Sequence, residues 1–412
     1  MKKIYYELTL ISKSPLHVGS GKNEEADSDL MLASNGIPFI PGSGLTGVLR
    51  SKLSKTDGEL LFGSINGEET QESKVIISDA VPLSPDKSQY HFSIRDGIRL
   101  DEWSMVENKF DIQIVETNVP FQAVIELNCD EENHLEKIWE NLLQTLNGEI
   151  KVGAKTSRGF GKMKFTVKKR AFVFPNELSE WMSFRPFAKD AFSDAQNIKF
   201  ESSTNSDVTK ISVMISMVDG FIVRQKTTNV EPLYDDFIPD YVPLMNQENK
   251  PIIPGSAWAG SFRHHMKEIL REIGDKSMSE EQIDRIFGVV KDEKKYSELR
   301  FGEVVIEGGK ACSYVRNAVD RFTASPKIGA LYSSQIWYGG NGVLEIAYPK
   351  GALNDRERQL LALCLIDMDQ GLLSVGGEAS VGRGRTKITG LFVNQKDRLP
   401  LLKEMNVLCL EE

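Results

Sequence analysis

No uninterrupted apolar run in this 412-residue chain approaches the ~20 residues that a membrane-spanning helix needs. Cysteine is scarce. Cys129, Cys312, Cys364 and Cys409 lie far apart with no CxxC pair, so they read as reduced, cytosolic core residues and not as bridges or zinc ligands. His17, His91, His134, His264 and His265 are the only histidines, and no HExxH pair, Cys/His cluster or GxSxG elbow exists. Gly19-Ser20-Gly21-Lys22 resembles a phosphate loop but lacks the upstream glycine and the hydroxyl residue after the lysine. Gly159-Phe160-Gly161 and Gly382-Arg383-Gly384 fall short of GxGxxG and open no helix, which argues against a dinucleotide fold. The first residues, MKKIYYELTLIS, mix polar residues into their apolar run and lack a small-residue cleavage site, so no signal peptide is expected. Positive charge is short as well. A net charge of -9, taken alone, speaks against a nucleic-acid partner.

What the chain does contain is a repeat. Ile37–Arg50 reads IPFIPGSGLTGVLR, and Lys250–Arg263 reads KPIIPGSAWAGSFR. Gly148–Gly161, GEIKVGAKTSRGFG, is answered at nearly the same offset by Gly371–Gly384, GLLSVGGEASVGRG. Between these blocks Leu61-Phe62-Gly63 matches Ile286-Phe287-Gly288. Matched landmarks in one order mark a tandem duplication.

Periodicity agrees. Ile4, Tyr6, Leu8 and Leu10 alternate, as do Ile211, Val213, Ile215 and Met217, so each half opens on a half-buried strand. Pro-Gly-Ser then starts a helix in each half, with Ser43 or Ser256 as the expected N-cap. Leu135, Ile138, Trp139, Leu142, Leu143 and Leu146 recur at helical spacing, and so do Leu360, Leu361, Cys364, Leu365 and Met368. The expected class is α+β, with an antiparallel sheet and helices on one face of each half. Domains over 1–201 and 208–412 follow, with SSTNSD at 202–207 as linker and the Phe172–Phe200 stretch packing across the join.

The glycine-rich blocks set cations beside permissive backbone: Lys155, Arg158 and Lys162 around Gly159 and Gly161, and Arg383, Arg385 and Lys387 around Gly382 and Gly384. Such a combination suits a phosphate backbone, although on these loops alone a tight hairpin with solvated basic residues is the better explanation. The motif helices tilt the balance. Ser43, Gly47 and Arg50, with Lys52 and Lys55, match Ser256, Gly260 and Arg263, with His264, His265 and Lys267. Basic residues thus gather at duplicated motifs while Asp and Glu are expected elsewhere.

The IPGS-x3-G-x2-R block, the LFG step and the late GxxxS-x-G-x-G turn together resemble the RAMP superfamily of CRISPR-associated proteins. Within it the chain is most similar to backbone subunits of type III effector complexes, and to the fused double subunit of III-D-like systems. Asn317-Ala-Val-Asp320-Arg321-Phe322-Thr323 followed by Gly329-Ala330-Leu331-Tyr332 resembles a further family motif, and Arg95–Asp101 echoes it weakly. The resemblance implies an RRM-like (ferredoxin-like) core in each half and a thumb-like hairpin that wedges into a guide–target duplex. It also implies a guide-RNA (crRNA) partner, a complementary target RNA and neighbouring effector subunits.

Family members cut target RNA with an aspartate in the loop before the IPGS block. Asp27 stands as far before Pro41 as Asp240 stands before Pro254. That shared register singles out these two, with Asp29 as fallback in the first half and Asp236 or Asp235 in the second. RNA supplies its own nucleophile, the 2′-OH, so cleavage asks mainly for in-line geometry. An aspartate there also suits a loosely held Mg2+ or Mn2+, ligated mostly by RNA and water. The competing readings are a non-catalytic crRNA-binding scaffold or filament cap with inert acidic loops, and a guide-processing endonuclease, for which no duplicated acid–base set is present.

Overall fold

The computed structural model describes residues 2–21, 27–66, 69–100, 106–129, 134–200, 207–226, 239–274, 278–288 and 296–410. The chain forms two compact units. The first takes in Met1–Arg99, Val106–Thr156 and Phe160–Asn205; the second takes in Ser206–Glu412 together with Ser157–Gly159. Residues 202–206 of the expected linker lie outside the described residues.

The first unit runs β1 (Lys2–Ser12), α1 (Gly42–Arg50), α2 (Lys55–Phe62), β2 (Val75–Ile77), β3 (Phe92–Leu100), β4 (Val106–Val115), β5 (Pro120–Cys129), α3 (His134–Leu146) and β6 (Lys162–Val173). Its sheet has the order β6-β1-β5-β2, every pair antiparallel, with short strands added at the edges. Because side chains alternate across a strand, Ile4, Tyr6, Leu8 and Leu10 all enter one core. The i, i+3, i+4 stripe of α3 covers them, with all six expected residues buried. Asn147 and Gly148, both at positive φ, end that helix.

The second unit repeats the plan: β7 (Val208–Met217), α4 (Gly255–Ile273), α5 (Glu280–Phe287), β8 (Arg300–Phe301), β9 (Lys310–Val319), β10 (Pro326–Tyr338), β11 (Asn341–Pro349), α6 (Asp355–Gln370) and β12 (Thr386–Val393). Its sheet order is β8-β11-β7-β12, again antiparallel. In each unit, helices follow the first strand and precede the last, and the order is that of a ferredoxin-like sheet. Between its second and third strands each unit inserts a hairpin, β3–β4 or β9–β10.

Two expectations need correcting. The Phe172–Phe200 stretch folds back on the first unit: Phe172, Phe184 and Phe192 pack with Tyr5 and Val124 on the outer face of the sheet, while Ile198 and Phe200 pack against its main core. Cys129, Cys364 and Cys409 are core residues, but Cys312 is only half-buried, on β9 of the hairpin.

Candidate nucleic-acid interface

Ser43, Gly47 and Arg50 line the exposed face of α1, and Ser256, Gly260 and Arg263 that of α4. Neither serine caps its helix; Pro41 and Pro254 hold the cap position and no side chain accepts there. Each helix starts two residues earlier than a serine cap would set it, and in the first unit Gly42 lies against β2. A Cβ on Gly42 would stand 2.3 Å from the Ile77 carbonyl oxygen, and its N–H donates to Asp79 Oδ1 at 2.7 Å. Gly47 and Gly260 differ. Among the described residues a Cβ at either meets nothing within 4 Å, although an interior glycine costs a helix about 1 kcal/mol relative to alanine. The fold gives no reason for glycine at these two matched positions.

The charges beside them are not equivalent. Arg50, Lys52 and Lys55 are all exposed. Arg263, by contrast, donates to Asp284 Oδ1 through Nε and Nη2 at 3.0 and 2.8 Å, and Lys267 reaches the same oxygen at 2.8 Å. Burial alone would raise the Asp284 carboxyl; the bonds from Lys267 and Arg263 outweigh it and hold it below its usual range. His264 pairs with Glu268 at 3.2 Å, and His265 with Asp367 at 2.7 Å. The second basic patch is therefore interleaved with carboxylates, contrary to expectation.

The glycine-rich loops are built alike. Val152 donates to the Gly161 carbonyl at 2.9 Å and Val375 to that of Gly384 at 3.0 Å. Gly161 and Gly384 have φ of 71° and 79°, and a Cβ would fall 1.8 Å from the Val152 oxygen or 2.1 Å from that of Val375. Their own N–H groups donate to Pro15 and Gly220 at 2.8 and 3.0 Å. These two glycines close a turn against the backbone of Val152 and Val375 and do not hold N–H groups out to a ligand. Gly382, in contrast, is exposed with nothing near its Cβ position.

Several loop cations also have internal work. Arg158, which belongs to the second unit, donates to the Phe287 carbonyl at 2.8 Å and to Ser297 Oγ at 3.3 Å. Burial, with Arg263 nearby, pushes its guanidinium down to about 10. Arg385 is tied to Asp219, and Lys387 donates to the Asp369 carbonyl at 2.6 Å. Lys162 is half-buried at the start of β6. Lys155 lies 4.1 Å above the Phe110 ring, and burial pushes its ammonium down to about 8. Gly159, at φ 97°, follows Arg158 in the loop.

The two loop aspartates share a geometry that sequence register alone does not reveal. Asp27 N–H donates to Asp111 Oδ1 at 2.8 Å, and Asp111 N–H donates back to Asp27 Oδ2 at 3.3 Å. Asp240 N–H donates to Ser333 Oγ at 3.0 Å, and Ser333 N–H donates back to Asp240 Oδ2 at 2.7 Å. Each aspartate is thus clasped reciprocally to the second strand of its unit's hairpin. The next residues continue the register as parallel bridges, Ser28 to Ile112 and Tyr241 to Ser334. Asp27 and Asp240 are both exposed. Asp29 is buried, with Oδ1 unpartnered among the described residues, so the fallback turns into the fold. Asp235 and Asp236 lie outside the described residues.

His17 is a satisfied buried residue, its Nδ1 2.6 Å from the Gln113 carbonyl oxygen and its Nε2 3.0 Å from Ser28 Oγ. Burial lowers its pKa, and the matched position in the second unit is the buried Ile222. Among the described residues no three His, Cys, Asp or Glu side chains converge as a metal site. The donor set is one carboxylate beside a serine at Asp240, and two carboxylates at Asp27 and Asp111. Neither set, among the described residues, fits a resident ion. The clasp residues Asp111 and Ser333 were not anticipated. Their one signal in the sequence is that the offset relating Asp111 to Ser333 also relates Gln113 to Gln335.

A tandem α+β protein with two ferredoxin-like units, each presenting a Ser/Gly/Arg helix face and a hairpin-clasped loop aspartate, defines the class. The RAMP superfamily model matches residues 9–164 and 235–387, about three quarters of the chain. The chain belongs to the RAMP superfamily, among CRISPR-associated RNA-binding subunits. No curated protein matches it. Among the described residues no helix is long and apolar enough to cross a membrane.

Proposed function

We propose that this protein is a crRNA-binding backbone subunit of a type III, III-D-like CRISPR effector complex, and that it cleaves complementary target RNA at two sites, one per unit. The observation that carries the reading is the reciprocal clasp, which sets Asp27 and Asp240 at one register position beside the hairpin in each unit. The exposed Ser43-Gly47-Arg50 and Ser256-Gly260-Arg263 faces suit a guide backbone, since glycine without a packing role lets a phosphate approach the helix closely.

Cleavage then needs the hairpin to unstack the target strand and turn a 2′-OH in line with the adjacent phosphate. The 2′-OH releases its proton to water as its oxygen attacks phosphorus, and the 5′-oxygen leaves and takes a proton from water, giving a 2′,3′-cyclic phosphate and a 5′-hydroxyl. The clasp holds each aspartate by one oxygen on a hairpin strand, so the carboxylate keeps its place as the hairpin seats. A Mg2+ or Mn2+ ion carried in with the RNA would neutralise charge on the phosphate and leaving oxygen, with Asp27 or Asp240 as its one protein ligand. Base pairing supplies target specificity, so no base-reading residues are required.

A second reading also has an observation behind it. A carboxylate that accepts from a strand N–H can serve only to anchor the hairpin, and a subunit with such loops would be a crRNA-binding scaffold or filament cap without activity. Co-expression with a guide array tests the shared part of both readings. Purified protein should carry small RNAs of uniform length, and protein free of RNA overturns both. A complementary target, cut in Mg2+ and spared in chelator, separates the nuclease from the scaffold.

A further inference from the structure

The second unit gathers three arginines around one carboxylate in a way the repeat motifs do not foretell. Glu378 sits in the glycine-rich loop at φ 62°, its side chain 7% exposed. Arg316 Nη1 approaches its Oε2 at 3.1 Å, Arg224 Nη2 its Oε1 at 3.5 Å, and Arg383 Nε its Oε2 at 3.6 Å. Among the described residues no other carboxylate pairs with these arginines, so one anion faces three cations and positive charge is left over. Each guanidinium lies over a tyrosine ring. Arg224 lies 5.0 Å from the Tyr241 ring centre, Arg383 lies 5.2 Å from Tyr338, and Arg316 lies 5.8 Å from Tyr314. The cluster is graded toward solvent, from Arg383 at 12% exposed through Arg316 at 29% to Arg224 at 46%.

Two placements give this cluster a direction. Tyr241 follows Asp240 directly, and Arg316 pairs across the hairpin with Tyr332, the neighbour of Ser333 that clasps Asp240. The matched position in the first unit's glycine-rich block is Lys155, also at positive φ. The same loop position thus carries a cation directly in one unit and recruits cations through a carboxylate in the other. Guanidinium groups set over aromatic rings and beside a fixed carboxylate are pre-organised donors for phosphate oxygens.

We infer that Arg224, Arg316 and Arg383, organised by Glu378, form an RNA phosphate-binding site beside Asp240. The inference rests on the RNA-binding reading proposed above and adds to it Arg224, Arg316 and the organising role of Glu378. It makes a prediction that charge counting does not. Removing the negative charge of Glu378 weakens RNA binding, because the arginines lose their common anchor.

The test uses the full chain and a fluorescently labelled single-stranded RNA, with affinity measured across a salt series and melting temperature recorded for each variant. Arg224→Gln and Arg316→Gln should each weaken binding about three- to tenfold and flatten the slope of log K against log salt by about 0.7. Glu378→Gln should weaken binding in the same direction, and Arg316→Lys should fall between wild type and Arg316→Gln. Tighter binding by Glu378→Gln overturns the inference, as do arginine variants that lower the melting temperature yet leave affinity and slope unchanged. Arg50→Ala is the separating arm. If it weakens binding while the cluster variants do not, this site fails and the RNA-binding reading stands. If wild type binds no RNA, both fail.

Discussion

Replacing Gly47 or Gly260 by alanine should move stability and RNA binding in opposite directions. Each glycine is interior to its helix, and each added methyl would enter open space. Alanine restricts the unfolded chain and favours the helix, so each change should stabilise by about 0.5–1 kcal/mol. For a unit of this size that raises the melting temperature by roughly 2–4 °C per kcal/mol. The same methyl would stand between helix backbone and RNA phosphate. Loss of one charge-assisted contact there should lower guide affinity roughly tenfold. Gly42→Ala supplies the contrast, since its Cβ would fall 2.3 Å from the Ile77 oxygen and should destabilise the first unit. Thermal melts and a salt-controlled RNA titration on the full chain decide the matter. A Gly47→Ala protein that melts higher but binds RNA unchanged would refute the assignment of this face; one that melts lower would refute the reasoning about the glycine itself.

Gly161→Ala and Gly384→Ala should each cost about 2 kcal/mol or more, seen as a lower melting temperature, because both need positive φ and crowd a carbonyl oxygen. Arg95→Ala should remove the 2.9 Å ion-pair partner of the buried Glu116 carboxylate and leave it the 2.6 Å bond from Ser93 Oγ, costing about 2–3 kcal/mol in denaturant melts. Glu136 gives an acid-limb prediction. Burial raises its carboxyl, but the bonds from Lys169 and Lys2 outweigh this, and its folded pKa lies below the usual 4.5. The stability it contributes is complete above that value and lost as pH falls through the folded one. Glu136→Gln should therefore flatten the melting-temperature profile below about pH 5, and an unchanged acid limb would count against the triad with Lys2 and Lys169.

Much of the architecture was legible in the sequence because it rests on local periodicity. The alternation at Ile4–Leu10 and Ile211–Met217 and the stripes from Leu135 to Leu146 and from Leu360 to Met368 depend on the 2.0 and 3.6 repeats, and all became core. The Ser43 and Ser256 caps fail because long-range contacts bear on each helix start: Gly42 has to clear the Ile77 carbonyl and Gly255 that of Phe301, which no local rule contains. The basic character of the second motif helix was overread for a similar reason, Asp284 lying well beyond Arg263 in sequence but at hydrogen-bond distance in space. The glycine-rich loops looked like ligand cradles because glycine fits two roles; only the bonds from Gly161 and Gly384 to Pro15 and Gly220 tell them apart. The aspartate register carried real information, yet the clasp needs Asp111 and Ser333, chemically unlike residues that no motif would pair.

The central claim is that the two clasped aspartates are the cutting residues. Its most direct measurement is the product pattern from a labelled complementary target, cleaved in Mg2+ by guide-loaded wild type, Asp27→Ala, Asp240→Ala and the double variant. Each single variant should lose one subset of cuts and keep the other, and the double variant should lose all of them while still carrying its guide. A full set of products from the double variant contradicts the account.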